Sequence, residues 1–211
     1  DDHWAEAYIE YCTSMGIING DGAGNFNPGG TLTASQAAKM FLTAIGYNAN
    51  VFGLVGNDWE TNTNRYANEA GLYNELGNVS VSQPISRDDA AQMAYNAIQA
   101  TLMVRSWSQD MTTGEITEGY ALSEDANSDT LLETRFNAVM EYGYITGVDY
   151  NVDRDEYTYD LSNDAFNGGA ITTDVVSVEH LTTDLDVSSL YGQKVKVIYQ
   201  DNSAHDVYGI Y

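Results

Sequence analysis

Two stretches of the chain repeat one another, and an internal repeat constrains the fold more than any other feature of a sequence. WAEAYIEYCTSMGII opens at Trp4 and WETNTNRYANEAGLY at Trp59, and each runs 12 residues from its tryptophan to a glycine, Gly16 or Gly71. Further on, QAAKMF (Gln36–Phe41) matches DAAQMA (Asp89–Ala94). The offset is 55 residues at the Trp and Gly and 53 at the Ala-Ala-x-Met, so the second unit has lost two residues in its loop.

Each unit reads as helix, loop, helix. Trp4, Tyr8, Cys12 and Met15 fall at near-helical spacing and make one apolar stripe, after which Gly16 supplies the left-handed stop expected just past a helix end. Gly20 to Pro28 is turn chemistry throughout, with Phe26 as its large apolar residue, expected to plug the loop to the core. The second helix of each unit carries Ala37, Phe41 and Ile45, or Ala90, Ala94 and Ile98, on one face. Thr33 with Gln36, and Ser86 with Asp89, place a hydroxyl at the N-cap and an acceptor three residues on, as a capping box requires. Arg87 is left unexplained by helix stability, since a cation in the first turn faces the positive end of the helix dipole.

These residues carry a resemblance. Trp4-Ala5, Gly16-Ile17-Ile18-Asn19-Gly20, Asp21-Gly22-Ala23-Gly24-Asn25-Phe26-Asn27-Pro28 and Leu32-Thr33 together resemble the S-layer homology module. The likeness covers residues 1–47 and, in a more degenerate form without the glycine loop, 57–103. It implies a non-enzymatic, extracellular protein of a bacterial cell surface, anchored noncovalently to a secondary cell-wall polysaccharide. The family's Thr-Arg-Ala-Glu signature, whose Arg helps to hold the anionic glycan, maps onto Arg87 (with Asp88 beside it) in the second unit and onto Ala34 in the first. Gly20 of the Gly-Ile-Ile-x-Gly run joins the implied glycan-binding set. Trp4 and Trp59 are open to two readings, sugar stacking and core packing. A structural subunit of a surface layer or filament, its repeats serving contacts with further copies, is the alternative function.

Beyond about Thr101 the pattern changes to short alternating runs rich in Thr, Tyr, Asp and Val. Strands are expected at 101–107, 115–121, 141–150, 156–161, 175–180, 194–200 and 206–211, with one helix over 129–138 whose Leu131, Leu132 and Phe136 face inward. Val195, Val197 and Tyr199 alternate with Lys194, Lys196 and Ile198 as in a half-buried strand. The expected class is therefore α+β: a helical repeat pair followed by a small, mostly-β barrel or sandwich over 104–211.

Charge narrows the partners. With 31 acidic against 8 basic residues the net charge is −23, a surface that repels phosphate backbones and disfavours nucleic acid. No run approaches the ~18 apolar residues of a membrane span, and the lone Cys12 has no partner for an internal disulfide. No nucleophile elbow, zinc-protease motif or phosphate loop occurs, and His3, His180 and His205 are scattered. Calcium is the inorganic candidate, through the alternation of Asp149, Asn151, Asp153 and Asp155. An EF-hand would want Gly at Arg154, Glu at Asp160 and flanking helices; the competing reading is an acidic hairpin tip.

Overall fold

The computed structural model describes residues 3–20, 24–124, 129–162 and 176–211. Asp21 of the glycine-rich turn and Val175, the expected start of a strand, lie outside them. The chain divides into two units, Asp1–Leu131 and Leu132–Tyr211.

The first unit holds the helices α1 (Glu6–Ser14), α2 (Ala34–Ala44), α3 (Trp59–Glu69) and α4 (Arg87–Gln99). Gly16 and Gly71 both take φ of 72°, so the first helix of each unit ends in the left-handed turn that glycine adopts without strain. α2 starts in a full capping box: the Gln36 N–H donates to Thr33 Oγ1 at 3.2 Å, and the Thr33 N–H donates to Gln36 Oε1 at 2.9 Å. At α4 the Asp89 N–H donates to Ser86 Oγ at 3.0 Å. Just ahead of these caps the segments that lead into α2 and α4 join. Thr33 bridges Pro84 antiparallel, and the Ile85 N–H donates to the Leu32 carbonyl at 2.8 Å.

The helical core is built on small residues. Ala34, Ala37, Ala38, Ala67 and Ala97 are buried together with Leu42, Ile45, Leu54, Leu72 and Met93. Alanine lets helix backbones approach, and the larger side chains fill the space between them. Phe41, Ala90, Ala94 and Ile98 of the expected faces are half-buried, and Met93 and Ala97 go deepest on α4. Between α2 and α3, Ser35 Oγ lies 3.1 Å from both Glu60 Oε1 and Asn64 Oδ1 and donates to the Val81 carbonyl at 2.9 Å. The Tyr73 hydroxyl donates to Asn64 Oδ1 at 2.5 Å. Burial, with the Glu60 charge nearby, pushes the Tyr73 phenol up to about 12.

The unit closes with a hairpin, β1 (Met103–Gln109) against β2 (Ile116–Leu122), in full antiparallel register from Met103↔Leu122 to Gln109↔Ile116. Gly46 makes its seating possible: a Cβ there would stand 2.0 Å from the Met103 carbonyl oxygen.

The apolar stripe of α1 is uncovered, and the expectation for Phe26 fails. No residue of α1 is buried, and the stripe of Trp4, Tyr8 and Met15 is exposed. Phe26 is also more than a third exposed and does not plug the loop to the core.

After α5 (Leu131–Phe136), the second unit is one antiparallel sheet of β3 (Ala138–Asn151), β4 (Glu156–Ser162), β5 (Val176–Thr183), β6 (Lys194–Gln200) and β7 (Val207–Ile210), in the order β5-β4-β3-β6-β7. One face buries Ile145, Tyr159, Leu161, Leu181, Val195 and Val197. The sheet is not the expected barrel or sandwich. Its edges β5 and β7 meet at the single parallel bridge Thr182↔Asp206, and β7, four residues long, is too short to extend that bridge into a ladder. Phe136 is a second correction: α5 has only six residues, so Leu132 reaches inward while Phe136 at its end is exposed.

Candidate functional site

The first unit holds a cleft of about 720 Å³ lined by residues 17–20 and 25–32, the inner turns of α2 and the segment that leads into α3. Its shape rests on Gly20. That residue takes φ of 62°, and a Cβ on it would stand 2.2 Å from the Asn25 carbonyl oxygen. Only glycine lets the loop close there, and the closed loop presents Asn25, Phe26 and Asn27 to the cleft. The inner wall is apolar, with Ile18 and Met40, and the amides of Asn19, Asn25, Asn27 and Gln36 ring it.

Lys39 and Trp59 stand together in this cleft. The capping box fixes the start of α2, and Lys39 follows one turn after Gln36, on the same side. Trp59 opens α3, and the Lys39 Nζ lies 5.7 Å from the centroid of its ring, within the range of a cation–π contact. Partial burial holds the Lys39 ammonium below its ordinary value. Lys39 is the one titratable side chain among the described lining residues. An ammonium beside an aromatic face, ringed by neutral amides, has the chemistry to hold a carboxylate-bearing sugar: a charge for the acid, a ring for the sugar's C–H face and amides for its hydroxyls.

Of the residues singled out from sequence, the structure brings Gly20 and Trp59 to this cleft. Arg87 and Asp88 lie exposed in the first turn of α4, and Trp4 stands exposed ahead of α1; none of the three lines the cleft. Ala34, which holds the position of Arg87 in the first unit, is fully buried and leaves no room for a guanidinium. Lys39 was missed by sequence reasoning. Its signal was its rarity, one of 8 cations in the chain, in a slot where the second unit carries Gln92.

The acidic alternation does not gather into a site. Asn151 Oδ1 accepts the N–H groups of Asp153 and Arg154 at 3.0 and 3.2 Å, closing the β3–β4 turn, and the Tyr150 hydroxyl donates to Asp155 Oδ1 at 2.6 Å. Among the described residues no three His, Cys, Asp or Glu side chains converge as metal ligands, and no helix is long and apolar enough to cross a membrane.

Comparison with known proteins fits the cleft's position in the chain. A stretch of 52 residues is 38% identical to an uncharacterized cell wall amidase of Bacillus anthracis. That stretch is 25% of this chain and only 10% of the relative's length. No solved structure matches. The model of the S-layer homology domain matches residues 1–38, a stretch that takes in residues of the cleft's loop and the capped start of α2.

Proposed function

We propose that the chain is a non-enzymatic anchor of the bacterial cell surface that binds an anionic cell-wall polysaccharide in this cleft. The observation that carries the reading is the pairing of Lys39 with Trp59 in a cleft built largely by the S-layer homology stretch. On a chain of net charge −23 an acidic glycan finds few places to settle, and a cation set among neutral amides is one of them. In this reading residues 57–103 are a second, degenerate S-layer homology repeat, and Arg87 with Asp88 forms an exposed outlying contact for the polymer.

The test is a pull-down on purified cell-wall sacculi, with sacculi stripped of secondary polymer as control. The expected result is polymer-dependent retention that is weakened in Lys39→Met and Trp59→Ala and, to a smaller extent, in Arg87→Ala. Equal retention on stripped sacculi, or full retention by both cleft variants, would sink the proposal.

A further inference from the structure

The repeat contains one filled helix joint and two open halves of it. In the filled joint α2 packs on α3. Ser35, Ala38 and Leu42 lie along one side of α2 and are fully buried, while Thr63 and Ala67 of α3 are buried opposite. Shifted back by the repeat offset of 55, the α3 side becomes Trp4, Tyr8 and Cys12, with Tyr8 in place of Thr63. Tyr8 is 69% exposed and Trp4 81%. Shifted forward by 53, the α2 side becomes Asp88, Ala91 and Tyr95 of α4, of which Asp88 and Ala91 are exposed. Ala38 and Ala91 are the same residue at the same repeat position, one sealed under a helix and the other in water.

We propose that α1 of one copy docks on the outer side of α4 of a second copy and remakes the α2–α3 joint between molecules. The two open halves are different and complementary. The contact is therefore head to tail, using unlike surfaces, and leaves an α4 free on one copy and an α1 free on the other for further addition. Trp4 then lies under Gln92 of the neighbouring copy, as Trp59 lies under Lys39. Asp88 of that copy comes to the start of α1. There Ala5 provides no side-chain cap, and a carboxylate is favoured by the helix dipole. A single helix-on-helix contact is small for a stable interface, so the association is weak and concentration-dependent. Each copy carries −23, so added salt, which screens their repulsion, strengthens it.

Sedimentation of the full chain at rising concentration and ionic strength tests this. The weight-average mass is expected to climb above the 23.1 kDa monomer with both variables. Tyr8→Glu and Ala91→Arg, both at exposed sites, each hold the chain at the monomer mass with an unchanged circular dichroism spectrum and Tm. An equimolar mixture of the two variants keeps one intact joint and forms a dimer that grows no further. The proposal is overturned by a wild-type chain that stays monomeric throughout. It is equally overturned if Ala91→Arg still associates, because α1 then pairs with itself or with another surface, or if the mixture fails to dimerise.

Discussion

α1 and α3 each follow or start at a tryptophan, Trp4 or Trp59, and each is closed by a glycine at φ of 72°. α3 buries Thr63 and Ala67 against α2, whereas α1 buries nothing. The more apolar of the two is the exposed one, since Trp4, Tyr8 and Cys12 stand where α3 has Trp59, Thr63 and Ala67. Apolar patterning marks a surface that has a partner; whether the partner is present depends on what else the sequence places within reach. For α3 it is α2, whose Ser35 hydroxyl meets Glu60 and Asn64 of α3.

The contrast is broken most directly by truncation. Leu42→Ala, in the joint that α3 fills, is expected to cost about 2–5 kcal/mol, the range for deleting a buried leucine side chain. Tyr8→Ala on the exposed helix is expected to stay within about 0.5 kcal/mol. Urea unfolding of both variants at low protein concentration, where copies do not associate, measures the difference. A large loss in Tyr8→Ala would mean that α1 is already packed within one molecule.

Enlargement sharpens the same comparison at a smaller scale. Ala67→Leu forces a larger side chain into a fully buried site and is expected to cost about 1–3 kcal/mol. Cys12→Leu, its repeat equivalent, is expected to be near neutral in dilute solution. The caps follow at about 1 kcal/mol each: Thr33→Ala removes the hydroxyl that accepts the Gln36 N–H, and Ser86→Ala the one that accepts the Asp89 N–H, with thermal denaturation as the readout.

The elements were largely legible in the sequence, because each rests on local chemistry. β6 falls at Lys194–Gln200 as read, since its alternation of Val195 and Val197 with lysines fits only one pleat. The capping box of α2 and the glycine stops were equally local. What was not legible depends on distant partners. The stripe on α1 identified an apolar face and said nothing of what covers it. Barrel closure turned on whether β5 and β7 could pair beyond Thr182↔Asp206, a matter of how far two strand ends extend. The cleft brings residues from Ile17 to Trp59 to one place, so Lys39 acquires its meaning only when Trp59 lies beside it. Arg87 drew attention by breaking a helix rule, and the structure places it in solvent away from that cleft.

The smallest expected effect separates the two repeat units by charge. Partial burial lowers the pKa of Lys39 from 10.5, whereas Gln92 at the same position of the second unit does not titrate. Glycan affinity carried by the Lys39 ammonium therefore falls as pH rises through that lowered value, before an ordinary lysine would lose its charge. Protein stability moves the other way. Between the folded and unfolded pKa values the unfolded chain holds more protons, so stability rises with pH. A partly exposed ion contact contributes at most about 1 kcal/mol, so the loss of affinity should be no more than about fivefold. Titrating sacculus binding between neutral and alkaline pH should show it in the native chain. Lys39→Met should bind weakly with a flat profile, and a falling profile in that variant would assign the dependence to another group.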